Sequence, residues 1–75
     1  MDSEFINTVA KVLKIAPELL KEDSTAASIP QWDSLNHWTV IGELEQKYNV
    51  EFTMDEAVSF KNLNDIYETI TKKLQ

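Results

Sequence analysis

The scarcity of turn-forming residues is the feature that most restricts what this chain can fold into. One glycine and two prolines occur in 75 residues, which leaves few of the turn signals that sheets of short strands require. A chain of this length makes one domain and buries only about 60% of the surface that it exposes when unfolded. We therefore predict a single all-α domain, residues 1–75, with one small core.

The spacing of apolar residues predicts two well-defined amphipathic helices. The first runs from about residue 3 to 15, with Asp2 or Ser3 as its cap, and Pro17 prevents its continuation. The second runs from about residue 34 to 48. The apolar positions at three- and four-residue spacing are Phe5, Ile6, Val9, Val12 and Leu13 in the first, and Val40, Ile41, Leu44 and Tyr48 in the second. Each set forms one stripe that faces a core.

Two further helices follow, of which the first is short. We expect the third helix to extend through Val58 and Phe60, and the fourth to start near Leu63 with apolar residues at every fourth position. Candidate caps are Thr53 or Asp55 for the third helix and Asn62 or Asn64 for the fourth. Ser, Thr, Asp and Asn are the usual N-caps because their side chains accept from first-turn N–H groups.

A long connection separates the first two helices. Residues 16–33 have no sustained apolar period, and a connection of this length is unusual in a small domain and often functional. Its scattered apolar residues are Leu19, Leu20, Ile29 and Trp32. We expect these residues to anchor the loop on the bundle.

Charge and composition exclude several classes of function. The formal net charge is −6, from 13 acidic residues against seven lysines, which argues against nucleic acid because phosphate binding needs clustered Lys and Arg. There is no cysteine and one histidine, so we expect no metal site of the usual Cys or multi-His kind. The opening "MDSEFINTVAKVLKI" has no basic segment followed by an apolar one, and no apolar run reaches the roughly 20 residues that span a bilayer. We expect a cytoplasmic protein without membrane insertion.

The tripeptide Asp33-Ser34-Leu35 begins the second helix, and three roles are open for its serine. Asp33 and Ser34 could be no more than a cap and a first helical residue. Ser34 could be a hydrolase nucleophile with His37 as its base, but nothing orients that histidine and no glycine-rich elbow surrounds the serine. A partly buried packing or capping role fits His37 better. Third, a hydroxyl in the first turn faces unpaired N–H groups and the positive end of the helix dipole, where a phosphodiester would be stabilised.

The third role agrees with a resemblance to the acyl carrier protein family. "DSLNHWTVIGELEQKYNVEF" is similar to the family's DSL, followed by apolar residues and L-E-x-x-(Phe/Tyr). "TMDEAVSFKNLNDIYETI" resembles its acidic third helix and the I-x-x-x-I pattern of its fourth. "APELLKEDSTAASI" fits its first loop. The resemblance covers nearly the whole chain and implies a small four-helix bundle of the acyl-carrier type, with a long loop between helices one and two and a short third helix.

The resemblance also implies a function for the tripeptide. Ser34 would receive 4′-phosphopantetheine from coenzyme A through a separate phosphopantetheinyl transferase. Asp33 would help hold the Mg²⁺ of that transfer while capping the helix. The chain would then be a monomeric carrier without catalysis of its own. It would present acyl or aminoacyl thioesters to activating and transferring enzymes of fatty-acid, polyketide or specialised acyl pathways. The alternative is a helical interaction module of the same fold without a prosthetic group.

The second helix departs from the family pattern beside the serine. Thr39 and Gly42 stand where fatty-acid carriers commonly have an acid and a Met, and Trp38 replaces a small aliphatic residue. Trp38 either folds over the bundle edge, with Gly42 making room for it, or faces partner proteins, where Trp is enriched. Trp32, before the motif, is expected to anchor the loop.

Acidic and apolar residues of the second and third helices form a predicted docking surface for basic partners. Its residues are Leu35, Trp38, Gly42, Glu43, Glu45, Glu51, Asp55 and Glu56. An acyl chain could in addition lie among the apolar residues Val40, Ile41, Leu44, Phe52, Ile66 and Ile70, with Trp38 either lining or blocking its passage.

Overall fold

Four helices and one short 3₁₀ turn make up the fold. A computed structural model describes residues 1–75, and its elements in chain order are α1 (Ser3–Leu13), a 3₁₀ turn (Pro17–Leu19), α2 (Ser34–Tyr48), α3 (Met54–Ser59) and α4 (Leu63–Leu74). No strand is present. The all-α architecture, the long loop between α1 and α2 and the short α3 confirm the prediction.

Side-chain caps fix where each helix begins. The Asp2 carboxylate accepts from the N–H of Phe5 at the start of α1. Thr53 and Glu56 form a reciprocal capping box at α3, and Asn62 caps α4. Each cap satisfies an N–H group that has no partner inside its own helix.

Two helix ends differ from the prediction. α1 ends at Leu13 rather than at residue 15, because Lys14 adopts the left-handed conformation (φ 59°) and the N–H of Ile15 bonds back to the carbonyl of Ala10 at 3.1 Å. This pairing closes the helix before Pro17 is reached. α3 ends at Ser59, because Phe60 is extended.

The core lies where the apolar stripes of the helices meet, and α1 packs mainly on α2. The largest side chains of the core, each less than 2% exposed, are Phe5, Leu44, Leu63, Ile66, Ile70, Val9 and Val40. Tyr48, expected in the stripe of α2, is half-buried, and its hydroxyl oxygen is buried without a hydrogen-bond partner. Burial raises the pKa of Tyr48, and the charges of Asp2 and Glu4 raise it further.

The long loop is fixed to the start of α4. The backbone N–H groups of Leu63 and Asn64 donate to the carbonyls of Ser24 (2.9 Å) and Glu22 (3.0 Å), so loop carbonyls satisfy first-turn donors of that helix. The anchors Leu20, Ile29 and Trp32 are buried as predicted, with 7%, 9% and 4% exposure. The prediction for Leu19 was wrong, since this side chain is 59% exposed. The loop therefore presents the start of α2 in a defined position.

Candidate functional site

Ser34 is the first residue of α2 and is exposed. Asp33 precedes it as N-cap, and its carboxylate accepts from the N–H of Asn36 at 2.8 Å. The Asn36 amide in turn donates to the carbonyl of Gln31 at 2.8 Å. The Ser34 hydroxyl therefore stands at the positive end of the helix dipole, on a first turn held by its neighbours.

A cleft of about 430 Å³ adjoins Ser34. Asp33, Ser34 and Trp38 line it on the α2 side, and Val58, Phe60 and Lys61 line it on the α3 side. The Lys61 ammonium forms no ion pair, since Lys47 and Lys73 are the lysines that do. An accessible hydroxyl, a positive helix end and a cleft with apolar walls and a free ammonium together fit a phosphate-bearing arm attached at Ser34.

His37 connects the loop, α2 and α3. Its Nδ1 lies 3.0 Å from the indole Nε1 of Trp32, and its Nε2 lies 2.8 Å from the carbonyl oxygen of Ala57. An indole N–H only donates, so Nδ1 accepts and Nε2 carries the proton that goes to Ala57. Both ring nitrogens are thus engaged away from Ser34. The structure agrees with the packing role expected for His37 and disagrees with a role as base of a hydrolase.

The two tryptophans differ in exposure. Trp32 is 4% exposed and belongs to the core, as expected of a loop anchor, and its indole stacks beside His37 at a centroid distance of 6.0 Å. Trp38 is 45% exposed and stands outside the core cluster. Its ring meets His37 edge to face at 5.8 Å. Of the two alternatives for Trp38, the structure favours the surface one.

Gly42 does not make room for Trp38. A Cβ built on Gly42 would meet no atom within 4 Å, so no ring of this chain approaches it. The packing explanation for this glycine was wrong, because the indole of Trp38 lies toward His37 rather than along the helix toward Gly42.

Three of the predicted docking acids are exposed, namely Glu43, Glu51 and Asp55. Glu45 is half-buried, and its carboxylate accepts from the N–H of Phe52 at 2.9 Å. This bond fixes the segment between α2 and α3, so the Glu45 side chain also has a structural role.

Glu56 is likewise engaged within the chain. Its carboxylate accepts from the N–H of Thr53 at 2.8 Å and pairs with the Lys73 ammonium at 2.9 Å. The hydrogen bond from the Thr53 backbone, followed by that from Lys73, lowers the pKa of Glu56.

Sequence reasoning missed several residues near Ser34. Lys61 and the exposed side chain of Val58 (65% exposed) line the cleft beside this serine. The bond from His37 to Ala57 spans 20 positions of the chain. No local pattern marks such a pairing, because it depends on how α3 packs against α2.

The fold contains neither a cluster of metal-ligating side chains nor a membrane-spanning helix. No group of three or more His, Cys, Asp or Glu side chains could hold a metal ion. None of the helices has the length and apolar character that crossing a membrane would require.

Comparison with known proteins identifies the family. The sequence profile described as "Phosphopantetheine attachment site" matches residues 3–70. The comparison with curated proteins gives no match. Among solved structures, 19 chains match. One of these is the solution NMR structure of the holo acyl carrier protein from Geobacter metallireducens. It has a TM-score of 0.86 and 30% sequence identity, over 95% of this chain and 82% of that one.

The matched region contains all of the first three helices, and with them Ser34 and its cap Asp33. Covalently attached 4′-phosphopantetheine is the prosthetic group of this family. The chain is a phosphopantetheine carrier protein without catalysis of its own, and it belongs to the acyl carrier protein family.

Proposed function

We propose that Ser34 carries the 4′-phosphopantetheine arm and that the chain presents acyl or aminoacyl thioesters to partner enzymes. The observation that supports this proposal most directly is the exposed hydroxyl of Ser34 at the first position of α2, beside the cleft of about 430 Å³. The arm supplies a terminal thiol whose thioesters transfer their acyl groups more readily than oxygen esters. The residues of the chain hold the attachment point and leave the thioester accessible.

The other serines support this choice by contrast. Ser24 is buried and its hydroxyl accepts from the N–H of Lys21 at 2.8 Å. The Ser28 hydroxyl is bonded within the Thr25 turn, and that of Ser59 donates to the carbonyl of Glu56 at 3.0 Å.

Ser3 is the closest internal control for Ser34. It too is exposed, follows a capping aspartate and is the first residue of its helix. Unlike Ser34, it lines none of the four clefts of the structure. The local Asp-Ser cap is thus shared by the two sites, whereas the cleft is specific to Ser34.

The test is co-expression with a promiscuous phosphopantetheinyl transferase, followed by intact-mass measurement. We expect the native chain and Ser3→Ala to gain the mass of one phosphopantetheinyl group, and Ser34→Ala to gain none. An unmodified native chain would instead favour an interaction module of this fold without a prosthetic group. A modified Ser34→Ala would place the arm elsewhere.

We further propose that the monomeric chain docks its partners, in the cytoplasm, through the surface around Ser34. Supporting this, Leu35 is 77% and Trp38 45% exposed, and Gly42 offers bare backbone that a partner could approach closely. Acidic residues surround these three, and the exposed Glu43, Glu51 and Asp55 are the ones free to meet basic partners. Glu45 and Glu56 add negative charge there while their carboxylates hold local backbone. The partners would be the transferase and the acyl- or aminoacyl-activating and transferring enzymes.

Transferase kinetics test this docking surface. Trp38→Ala should raise KM by about 10-fold or more, as expected for a Trp at the centre of an interface, with little change in melting temperature. Neutralising Glu43, Glu45 and Glu51 together should raise KM mainly at low salt, because screening weakens exposed charges. Asn7→Ala, at an exposed position of α1, serves as the control surface change. Unchanged KM and unchanged salt dependence would contradict the proposal.

A further inference from the structure

Two hydrogen bonds that meet on His37 join the loop before α2, α2 itself and α3. Trp32 donates to Nδ1 at 3.0 Å, and Nε2 donates to the carbonyl of Ala57 at 2.8 Å. We call the Trp32–His37–Ala57 chain of bonds the α2–α3 seam. Both Trp32 and Ala57 are buried, at 4% and 3% exposure. Separating α2 from α3 at this point would leave the Nε2–H of His37 and the carbonyl of Ala57 without partners, which is costly away from water.

The core behind the seam is filled. Phe5, Leu44, Ile66 and Ile70 are at most 1% exposed, and none of them lines any of the four clefts of the structure. Protein interiors are close-packed, so an alkyl chain could enter only by displacing side chains. No cleft of the structure reaches the six apolar residues expected to surround an acyl chain, which are Val40, Ile41, Leu44, Phe52, Ile66 and Ile70.

The cleft beside Ser34 lies on the outer side of the seam. Trp32, His37 and Ala57 all line it, so the seam forms its inner limit. The outer walls of the cleft include the exposed indole of Trp38 and the side chain of Lys61. A group attached through Ser34 therefore meets this cleft first, and the seam lies between that group and the core.

We infer that the seam keeps the carried group outside the helical core, and that this chain carries short acyl or aminoacyl groups rather than long alkyl chains. The inference rests on the proposed attachment at Ser34. A long alkyl chain held outside the core would leave methylene groups in water, which is unfavourable in proportion to the apolar area exposed. Short or polar groups do not incur this cost.

The test compares cargo of two lengths on the intact protein. The transferase loads acetyl- or octanoyl-phosphopantetheine from the corresponding coenzyme A thioester, and intact mass verifies each product. The readouts are the melting temperature and the methyl NMR shifts of Ile66 and Ile70. We expect both forms of the native chain to share one melting temperature and the same Ile66 and Ile70 shifts. A higher melting temperature with shifted methyl signals in the octanoyl form would overturn the inference.

A variant and a control locate the effect in the seam. His37→Ala removes both bonds, and its octanoyl form should show the Ile66 and Ile70 shifts that the native form lacks. Val58→Ala changes an exposed wall of the cleft and keeps both bonds, so its octanoyl form should behave like the native one. If octanoyl His37→Ala also matches its acetyl form, His37 is not what closes the passage.

A measurement on the unmodified protein separates this inference from the proposed function. Imidazole ¹⁵N NMR should show His37 as the neutral tautomer protonated at Nε2, as the seam requires. Protonation at Nδ1 instead would overturn the seam whether or not an arm is attached. Failure of loading, seen by mass, would refute the attachment at Ser34 and leave the seam to be decided by the tautomer.

Discussion

Two substitutions of Asp33 separate its role as a helix cap from a role in attachment of the arm. Its carboxylate accepts from the N–H of Asn36 at 2.8 Å and is exposed. Asparagine caps helices about as well as aspartate, whereas alanine does not. Asp33→Asn therefore removes the charge and keeps the cap, and Asp33→Ala removes both.

The structure sets the expected size of the stability change. Loss of an N-cap costs about 1 kcal/mol, which lowers the melting temperature of a domain of this size by about 4–8 °C. Asp33→Asn loses only the interaction of an exposed charge with the helix dipole, about 0.3–1 kcal/mol at low ionic strength. Thermal unfolding followed by circular dichroism should therefore rank the native chain first, Asp33→Asn second and Asp33→Ala last.

Transfer of the arm should follow a different order. If the Asp33 carboxylate supports the Mg²⁺ of the transfer, both variants should be modified about 10- to 100-fold more slowly, the range seen when a group supporting a metal is lost. Time-resolved intact mass with transferase, coenzyme A and Mg²⁺ measures this rate. Modification of Asp33→Asn at the native rate would refute the catalytic support and leave Asp33 with its cap alone.

Three further predictions concern stability. Tyr48→Phe removes a buried hydroxyl without a partner. It should stabilise the fold by about 1 kcal/mol, a rise of about 4–8 °C in melting temperature, whereas the control Tyr67→Phe should have little effect. A less stable Tyr48→Phe would mean that the hydroxyl has a partner. Gly42→Ala places a methyl group in open space and should raise the stability of the fold by about 1 kcal/mol. If partners approach this backbone, the variant should also raise the KM of the transferase. A destabilised variant would show that the space beside Gly42 is not open. The lowered pKa of Glu56 means that its charged form stabilises the fold above the unfolded pKa of 4.5, and that this contribution is lost as the pH falls through the lower folded pKa. Urea unfolding of the native chain and Glu56→Gln should therefore differ at neutral pH and converge in acid, and a constant difference would refute the assignment.

The helices were predictable because their signals are local. Apolar residues recur at the helical period, and Asp2, Asp33, Thr53 and Asn62 stand where caps are needed. The sequence offered two candidates for three of these caps, and the choice depended on which side chain reached a first-turn N–H. Such choices are decided by backbone geometry rather than by residue type.

The end of α1 was less predictable. Lysine rarely adopts the left-handed conformation that closes a helix, so Lys14 gave no stop signal, and Pro17 placed the expected end two residues too far along. By contrast, Asn49 ends α2 in the same conformation (φ 55°) at the expected position, since asparagine tolerates it.

The attachment serine was predictable, but its surroundings were not. Ser34 was identified from its motif and its place at the start of α2. The positions of Lys61, Val58 and the His37–Ala57 bond depend on the packing of α3, which the sequence pattern does not encode. Gly42 shows the same limit, because its spacing from Trp38 indicated contact that the side-chain direction of Trp38 prevents.

Tandem mass spectrometry of the transferase-treated protein tests the central claim most directly. Cleavage after lysine releases residues 22–47, a peptide that contains Ser24, Ser28 and Ser34 together. Fragmentation of this peptide should place one phosphopantetheinyl group on Ser34, with Ser24 and Ser28 unmodified. A group on either of those serines, or a peptide without the group, would contradict the claim that the exposed serine at the start of α2 is the attachment site.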